Sequence, residues 1–366
     1  MIKVLQPRGP DGEGREVAAD GRLLLAHRRL SIIDLSDAAS QPMTTADGRY
    51  SIVFNGEIYN YRELRAELAT NGVSFRTESD TEVLLQLYAK FGEAMVDRLR
   101  GMFAFAIWDG PKQRLFMARD PNGIKPLYIS DDGGTLRFSS QVRSLLAGGG
   151  VDTSPEPAGH VGFFTWGYVP EPYTLYRGIR MLPPGSTLWV DRSGRRASHK
   201  WFDLAAVLGE AEPAPFDRAQ FAEAVRDSVR AHFVSDVPIG MFLSAGLDSV
   251  TLAALATEID VGEVRCITMG FDEYRGTASD ETALAESVAH HYGLQHESRW
   301  IGRADFETDA DRLFAAMDQP SIDGLNTYFI ARSAQAAGLK VALSGVGGDE
   351  LFEGYPSSGE IRRLVG

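Results

Sequence analysis

About the first 200 residues alternate short apolar runs with turns rich in glycine, asparagine and aspartate. Short apolar runs bounded by such turns are typical of strands that are joined by hairpins. Two of the connections, residues 110–113 and 131–135, are short enough to predict hairpins. The runs that we expect to form strands are residues 22–34, 50–61, 102–109, 114–120, 127–130 and 136–140.

Two segments between these strands have the apolar spacing of helices. Residues 61–72 end on Asn-Gly, a common helix stop, and residues 79–92 begin at Ser79. Ser79 is a suitable N-cap and Glu82 stands three residues later, so a capping box is predicted. Helices packed on antiparallel sheets indicate an α+β layered domain.

The pattern changes in the second half, where strands and helices alternate. Residues 203–217 are rich in Ala, Pro and Glu and are expected to form a linker. The alternation predicts an α/β doubly wound domain with a parallel sheet, whose ligands bind at the carboxyl ends of the strands. The expected helices are residues 218–233, 249–259, 281–293, 305–317 and 326–337, and the expected strands are residues 239–244, 264–271, 296–301 and 340–345.

Composition narrows the classes of function. The 366 residues carry a net charge of −13 and no long basic run, so neither a nucleic acid nor an anionic membrane is expected as a partner. No apolar stretch reaches the ~18 residues that a membrane-spanning helix needs. The only cysteine, Cys266, argues against a disulfide framework and a cysteine-based zinc site, and it suits a reducing cytoplasm.

The strongest local signal is the stretch PIGMFLSAGLDSVTLAALA, residues 238–256. An apolar strand runs through the small residues between Ser244 and Ser249 into a helix. Small residues let the backbone approach an anion, and N–H groups at the start of a helix point at it. A Walker P-loop is excluded because Gly-Lys-Ser/Thr is missing. The spacing resembles the pyrophosphate loop of the ATP pyrophosphatases, with Ala245 where that loop has glycine.

A second loop of the same kind lies in KVALSGVGGDELFEGY, residues 340–355. A strand and a glycine-rich turn precede two acidic residues, Asp349 and Glu350, that open a helix. Carboxylates repel phosphate, but they bind it through Mg²⁺, a hard cation that bridges both. Acidic residues also favour a helix N-terminus on their own. Two such loops at strand ends of one parallel sheet make a nucleotide site the better interpretation.

Together the two motifs resemble the synthetase domain of the glutamine-hydrolysing asparagine synthetases. That family activates the aspartate side chain with ATP as an acyl-adenylate, and ammonia then displaces AMP. The resemblance implies ATP and Mg²⁺ as ligands. The implied ATP-binding residues are Leu243, Ser244, Gly246, Asp248, Ser249, Ser344 and Gly345, and the implied metal ligands are Asp248 and Asp349. Val346 departs from the pattern, because well-studied members carry glutamate there, so the acceptor is aspartate or another carboxylate.

Four motifs of the first half resemble the glutaminase domain of the same family, a class II amidotransferase with an N-terminal-nucleophile-type αββα sandwich. By this resemblance Arg29 would bind the α-carboxylate of glutamine, Asp80 would pair with its α-ammonium, and Glu57 would assist. Asn55 and Gly56 would form the oxyanion hole. The motifs are residues 8–14, 27–43, 54–61 and 79–83.

The nucleophile of that family is not where the resemblance puts it. Family members begin Met-Cys-Gly-Ile and attack glutamine with the thiolate of the exposed cysteine. In this sequence the RGPDGEG motif follows Met1 closely, and Cys266 belongs to the other half. We therefore expect a chain that is incomplete at both ends, with a glutaminase domain at 1–202 lacking its first strand, a linker at 203–217 and an incomplete ATP-binding domain at 218–366.

Two other interpretations stay open. A relative without glutaminase activity, of the β-lactam synthetase or lasso-peptide cyclase type, would have an eroded glutamine pocket in an otherwise whole fold. A non-catalytic fragment would bind nucleotide or form a homodimer. The pocket residues Arg29, Asn55, Gly56 and Asp80 are all present, which favours the glutamine-dependent enzyme.

Overall fold

The chain forms two compact units in a computed structural model that describes residues 1–18, 21–210, 215–352, 354 and 355. The first unit comprises Met1–Ala214 and also Met317–Asp323. The second unit comprises Pro215–Ala316 and Gly324–Gly366. The second half of the sequence therefore contributes one short segment to the first unit.

Antiparallel strands make up the first unit. Its strands are β1 (Gly12–Val17), β2 (Leu24–Arg29), β3 (Met43–Thr44), β4 (Tyr50–Ile58), β5 (Gly101–Asp109), β6 (Arg114–Arg119), β7 (Tyr128–Asp131), β8 (Leu136–Ser139), β9 (Arg180–Met181), β10 (Ser186–Asp191) and β11 (Arg196–Lys200). Its helices are α1 (Tyr61–Thr70), α2 (Asp80–Phe91), α3 (Val142–Gly148), α4 (Pro157–Trp166) and α5 (Leu204–Glu210). Within the described residues the sheets have the orders β11-β10-β6-β5-β4-β3, β8-β7-β9 and β1-β2.

The core of the first unit lies between the six-stranded sheet and the two smaller sheets. Leu25 of β2, Val53 of β4, Ala106 of β5 and Leu127 are buried in one cluster there. Helix α2 packs against β4 and also against α1, and α3 packs against β8. These layers are the αββα sandwich that the sequence predicts.

Both predicted hairpins are present, because β5 pairs with β6 and β7 pairs with β8. The glycine-rich RGPDGEG motif, which is typical of a loop, is a strand in its last three residues, since residues 12–14 belong to β1, which pairs with β2 from Gly12↔Arg29 to Val17↔Leu24. Gly14 explains how a strand fits there. A Cβ on Gly14 would lie 2.1 Å from the carbonyl oxygen of Gln41, so only glycine allows this approach.

Helix α2 begins as predicted, but without a capping box. The Ser79 hydroxyl accepts a hydrogen bond from the N–H of Thr81 at 3.1 Å, as an N-cap should. The Glu82 carboxylate turns to the preceding loop, where it accepts from the N–H of Arg76 at 3.0 Å and that of Thr77 at 2.7 Å. The predicted Glu82 contact to Ser79 is therefore wrong, because the loop offers this carboxylate more donors.

The second unit is an α/β unit with a parallel sheet, as the alternation predicts. Its sheet has the order β14-β13-β12-β15, and all three strand pairings are parallel. The strands are β12 (Ile239–Phe242), β13 (Arg265–Phe271), β14 (Gln295–Ile301) and β15 (Val341–Leu343). The helices are α6 (Arg218–His232), α7 (Leu247–Glu258), α8 (Thr282–His291), α9 (Arg303–Ala316), α10 (Gly324–Ala336) and α11 (Gly348–Phe352).

The segment Met317–Asp323 is bound into the first unit by hydrogen bonds. The Asp318 carboxylate accepts from the N–H of Val142 at 2.7 Å and from that of Arg143 at 3.0 Å, so it caps the N-terminus of α3. The residue that precedes this helix provides no side-chain cap. A carboxylate at this position satisfies donors that a helix leaves open at its start.

Several elements are not predicted from the pattern, namely α3, α4 and β9 to β11. The predicted linker at 203–217 contains α5, which has no buried residue, while residues 211–214 lie outside the described part. Among the described residues, no helix combines the length and the apolar character that a membrane span requires.

Candidate functional site

One cavity of about 1090 Å³ lies in the first unit, bordered by β2, β4, β8 and the start of α2. All five residues that the sequence predicts for glutamine binding line it. They are Arg29, Asn55, Gly56, Glu57 and Asp80. The cavity is larger than one amino acid needs, and its walls include buried core residues such as Ala106 and Leu115.

Arg29, at the end of β2, is held by the loop that follows it. Its Nη1 donates to the carbonyl oxygen of Ser36 at 2.7 Å, and its Nη2 donates to those of Ile33 and Asp34. Asp34 stands at φ 53°, a left-handed conformation that aspartate tolerates better than most residues. The loop fixes the guanidinium at the cavity wall, where a planar cation suits a carboxylate.

The strand β4 carries the two predicted oxyanion-hole residues. Asn55 has an exposed side chain, and Gly56 follows it along the same cavity wall. Gly56 has φ 156°, and a Cβ there would lie 2.1 Å from the carbonyl oxygen of Met102. Both facts require glycine, because any side chain would collide with β5. The bare backbone leaves room for a ligand to approach the strand.

Two buried carboxylates face the cavity next to these residues. Burial raises the pKa of Asp80 to about 6, although the backbone N–H groups of Ile58 and Thr81 favour its charged form. Burial likewise raises the pKa of Glu57 to about 7, which Lys125 opposes by its charge. Burial destabilises the charged form of both carboxylates. A cationic partner, such as an α-ammonium group, would stabilise that charged form.

Lys125 was missed by the sequence reasoning. It lines the cavity, and burial lowers its pKa, while Glu57 and Asp120 oppose this shift. The fully buried Asp120 fixes its backbone by accepting from the N–H groups of Asn122, Ile124 and Lys125. The signal that could have indicated it is the run Asp-Pro-Asn-Gly directly after a strand, which predicts a tight turn.

The loop after β12 in the second unit is closed by hydrogen bonds of Ser249. The Ser249 hydroxyl accepts from the N–H of Ser244 at 3.2 Å and donates to the carbonyl oxygen of Gly246 at 3.0 Å. Ala245 adopts φ 59°, a left-handed conformation that costs an alanine about 1 kcal/mol. This explains why the resembled motif has glycine at that position. Leu243, the first residue after β12, is buried.

The second predicted loop lies against the first one. A Cβ on Gly345 would lie 3.0 Å from the Cβ of Asp248, and a Cβ on Gly348 would lie 2.2 Å from its Oδ2. These glycines bring the turn after β15 and the start of α11 against the Asp248 side chain, while the Asp349 carboxylate lies against Gly354. Oxygen donors of this kind suit Mg²⁺. No group of three or more metal-ligating side chains was found in the described part of the chain.

Cys266 lies in the middle of the parallel sheet and is fully buried. Burial in apolar surroundings raises the pKa of its thiol to about 11. It packs with Met241 and Ala253, in the other unit from the cavity. A fully buried thiol in apolar surroundings has a structural role rather than a reactive one.

Similarity to known proteins covers both units. Residues 1–202 match the family described as glutamine amidotransferase domain, and residues 220–364 match the family described as asparagine synthase. Asparagine synthetase (glutamine-hydrolyzing) 1 of Bacillus subtilis is 36% identical over 97% of this chain and 55% of the relative. The chain thus spans about half the length of that relative.

Two further relatives support the same similarity. Asparagine synthetase B (glutamine-hydrolyzing) of Escherichia coli is 33% identical over 97% of this chain and 60% of its own length. Putative asparagine synthetase (glutamine-hydrolyzing) 2 of Methanocaldococcus jannaschii is 33% identical over 97% of this chain and 72% of its own length. The similarity therefore runs along nearly the whole chain.

Proposed function

Because the chain belongs to the family of glutamine-hydrolysing asparagine synthetases, we propose that it takes part in the ATP-dependent amidation of aspartate with ammonia from glutamine. The first unit binds glutamine, and the second unit binds ATP with Mg²⁺. The observation that carries this proposal is that Arg29, Gly56 and Asp80 line one cavity.

The cavity offers each group of glutamine a partner of matching chemistry. The Arg29 guanidinium receives the α-carboxylate, and the ionised Asp80 carboxylate receives the α-ammonium. Glu57 adds negative charge on the same side. The Asn55 side chain and the Gly56 N–H face the side-chain carbonyl, where they stabilise the oxyanion of the tetrahedral intermediate.

Hydrolysis of glutamine also needs a nucleophile. Cys266 does not serve, because it is buried in the second unit and burial raises the pKa of its thiol to about 11. We propose that an attacking thiol would have to reach the cavity between β2 and β8. Both strands line the cavity, and the apolar core residues Ala106 and Leu115 form its floor.

In the second unit, the loops around Ser244 and Ser344 bind the phosphates of ATP through N–H and hydroxyl groups. Asp248 and Asp349 would hold Mg²⁺, which neutralises the phosphates when bound. The carboxylate of the acceptor attacks the α-phosphorus of ATP, and the bond to the β-phosphate oxygen breaks, so pyrophosphate leaves. Ammonia then attacks the acyl carbon and AMP departs.

The experiment that tests the first unit is calorimetric binding of L-glutamine to the purified chain. D-Glutamine and glutaramic acid, which lacks the α-amino group, serve as matched ligands. We expect L-glutamine to bind at least about tenfold more tightly than either, since each comparison removes a charged contact. Equal binding of all three ligands would contradict the assignment of Arg29 and Asp80.

The experiment that tests the second unit is exchange of labelled pyrophosphate into ATP in the presence of Mg²⁺. Aspartate should stimulate the exchange if an acyl-adenylate forms. Val346, which is 89% exposed beside the second loop, leaves the acceptor pocket without the glutamate of well-studied members. A panel of dicarboxylates and amino acids therefore accompanies aspartate. If another carboxylate stimulates the exchange and aspartate does not, acyl-adenylate formation stands as proposed, but the acceptor is that carboxylate and not aspartate.

A further inference from the structure

Two side chains hold both backbone groups of Phe54 in β4. The Phe54 N–H donates to Gln41 Oε1 at 2.6 Å, and the Phe54 carbonyl oxygen is 3.1 Å from His27 Nε2, which donates to it. Residues of β3 pair only with Ser51 and Ile52. From Phe54 onward, the backbone groups on the edge of β4 that points away from β5 therefore hydrogen-bond to side chains rather than to another strand.

Backbone groups two residues apart point to the same edge of a strand. Phe54, Gly56 and Ile58 consequently share this edge. The Ile58 N–H donates to Asp80 Oδ2 at 3.1 Å. Between these two occupied positions, the Gly56 N–H has no side-chain partner among the described residues, and Gly56 lines the cavity.

We propose that His27 and Gln41 are positioning residues, which clamp the Phe54 peptide groups and thereby aim the Gly56 N–H into the cavity. This inference rests on the proposed glutamine site. It goes further because neither residue contacts the substrate in that proposal. An oxyanion donor is effective only when its direction is set before the reaction. Glycine cannot set its own direction, because its backbone is permissive and it has no side chain to anchor.

The two anchors come from different elements, so they fix Phe54 from two directions. His27 belongs to β2, two residues before Arg29. Gln41 also donates from Nε2 to the Thr81 hydroxyl at 3.2 Å, and Thr81 follows Asp80 at the start of α2. The clamp therefore ties the oxyanion donor to the elements that carry both charged partners of glutamine.

The state of His27 agrees with this role. Burial lowers the pKa of His27 to about 4, so the ring is neutral at pH 7. A neutral imidazole has one N–H group, and the contact to a carbonyl oxygen requires this proton on Nε2. Nδ1 is then an acceptor. The clamp therefore predicts one tautomer of one histidine, which can be measured on the unaltered protein.

The test compares His27→Leu, His27→Gln and Gln41→Leu with the unaltered chain, and His199→Leu is the matched control because His199 is exposed on β11. The probe is L-glutamate, whose γ-carboxylate oxygen reports on the oxyanion donor. We expect His27→Leu and Gln41→Leu to weaken L-glutamate binding about tenfold, or about 1.4 kcal/mol. His27→Gln keeps a donor and should stay within about threefold of the unaltered chain. Equal affinities of all variants would overturn the clamp.

A second measurement separates the clamp from the glutamine site. In ¹⁵N NMR spectra, His27 of the unaltered chain should have a pyrrole-type Nε2 and a pyridine-type Nδ1, and the Gly56 amide signal should shift in His27→Leu and much less in His27→Gln. If these signals appear but no L-glutamate binds, the proposed function fails while the clamp stands. A proton on Nδ1, or a Gly56 signal that does not move in His27→Leu, overturns the clamp regardless of binding.

Discussion

Arg119 and Glu171 form a two-pronged ion pair, with Nη1–Oε2 and Nη2–Oε1 distances of 2.7 and 2.8 Å. The Arg119 side chain is 1% exposed and donates further to the carbonyl oxygens of Gly123, Lys125 and Leu182. The pair joins residues 52 positions apart. It fixes the loop that carries Lys125 to the cavity of the first unit.

Replacing Arg119 by methionine should therefore destabilise the first unit strongly. The variant loses the ion pair and leaves three buried or partly buried carbonyl oxygens without their donor. We expect the free energy of unfolding to fall by about 3–5 kcal/mol, measured by urea denaturation. Arg49→Met is the control, because the Arg49–Asp47 pair is exposed and 3.9 Å long, and it should change stability by less than about 0.5 kcal/mol. Similar losses in both variants would contradict the role of Arg119.

The charge of Glu57 should make the unfolding free energy depend on pH. Burial raises its pKa from 4.5 to about 7, so the folded state holds the proton more tightly than the unfolded state. The contribution of Glu57 to stability is therefore fully present below pH 4.5 and is lost as the pH rises to about 7.

Glu57→Gln does not titrate, so it should gain stability relative to the unaltered chain across that interval, by roughly 1–3 kcal/mol. Above about pH 7 the difference should be constant. Denaturation curves at half-unit steps of pH measure this difference. Glu78→Gln is a control, since Glu78 is exposed. A constant difference between Glu57→Gln and the unaltered chain at every pH would refute the raised pKa.

The Cys266 thiol should be inert in the folded chain. Only the thiolate reacts, and burial raises the pKa of this thiol to about 11. Ellman's reagent should detect less than about a tenth of the thiol before unfolding and all of it in denaturant. The 366-residue chain should also release no glutamate from glutamine by thiol chemistry, and Cys266→Ala should leave this unchanged. Turnover that Cys266→Ala abolishes would reverse the assignment.

Asp248→Asn should weaken Mg²⁺-dependent ATP binding. The substitution keeps the shape of the side chain and removes the charge that lies against Gly345 and Gly348. We expect a loss of about 1–3 kcal/mol in titration calorimetry with MgATP, the usual value of a charge-assisted contact. Asp260→Asn, in the turn after α7, is the control, because Asp260 is exposed and asparagine also tolerates its φ of 49°. Unchanged affinity in Asp248→Asn would remove this residue from the site.

Ala245→Gly should relieve strain in the loop after β12. The alanine has φ 59°, which glycine adopts without a steric penalty. The gain of about 1 kcal/mol is partly offset because glycine gives the unfolded chain more freedom, so the net stabilisation should be below about 1 kcal/mol. Thermal melting measures it, and Ala253→Gly, in the middle of α7, should destabilise instead. Destabilisation by Ala245→Gly would show that the methyl group contributes packing.

Much of the fold follows from the sequence, since the short apolar runs between turns form β4 to β8, and the strand-like runs between helical segments form β12 to β15. The fold class and the family are confirmed. The short strand β9 and the helix α4 cannot be predicted from the spacing of apolar residues. Strand β9 has two residues, and α4 has apolar side chains on most positions, Phe164 among them at 85% exposure. Neither sequence pattern distinguishes a buried face of the element from a solvent-exposed one.

The candidate site was predicted through its motifs, and its residue roles stay predictions. The contacts between residues that are far apart in the sequence could not be predicted from it. Glu82 bonds to a loop rather than to Ser79, and Lys125 reaches the cavity only because Arg119 and Asp120 fold its turn. Such contacts depend on which chain segments meet in space. A propensity measured along one segment holds no information about them.

The Asp318 cap on α3 ties the completion of the first unit to the synthesis of the chain. When residues 1–214 have been synthesised, Met317–Asp323 have not. Until that segment is made, the first N–H groups of α3 lack the Asp318 carboxylate and are exposed to water. The more than one hundred intervening residues must emerge before the cap can bind. The last contact of the first unit therefore forms only after residues 215–316 have been synthesised, and a gene cut at the linker would encode a first unit without this cap.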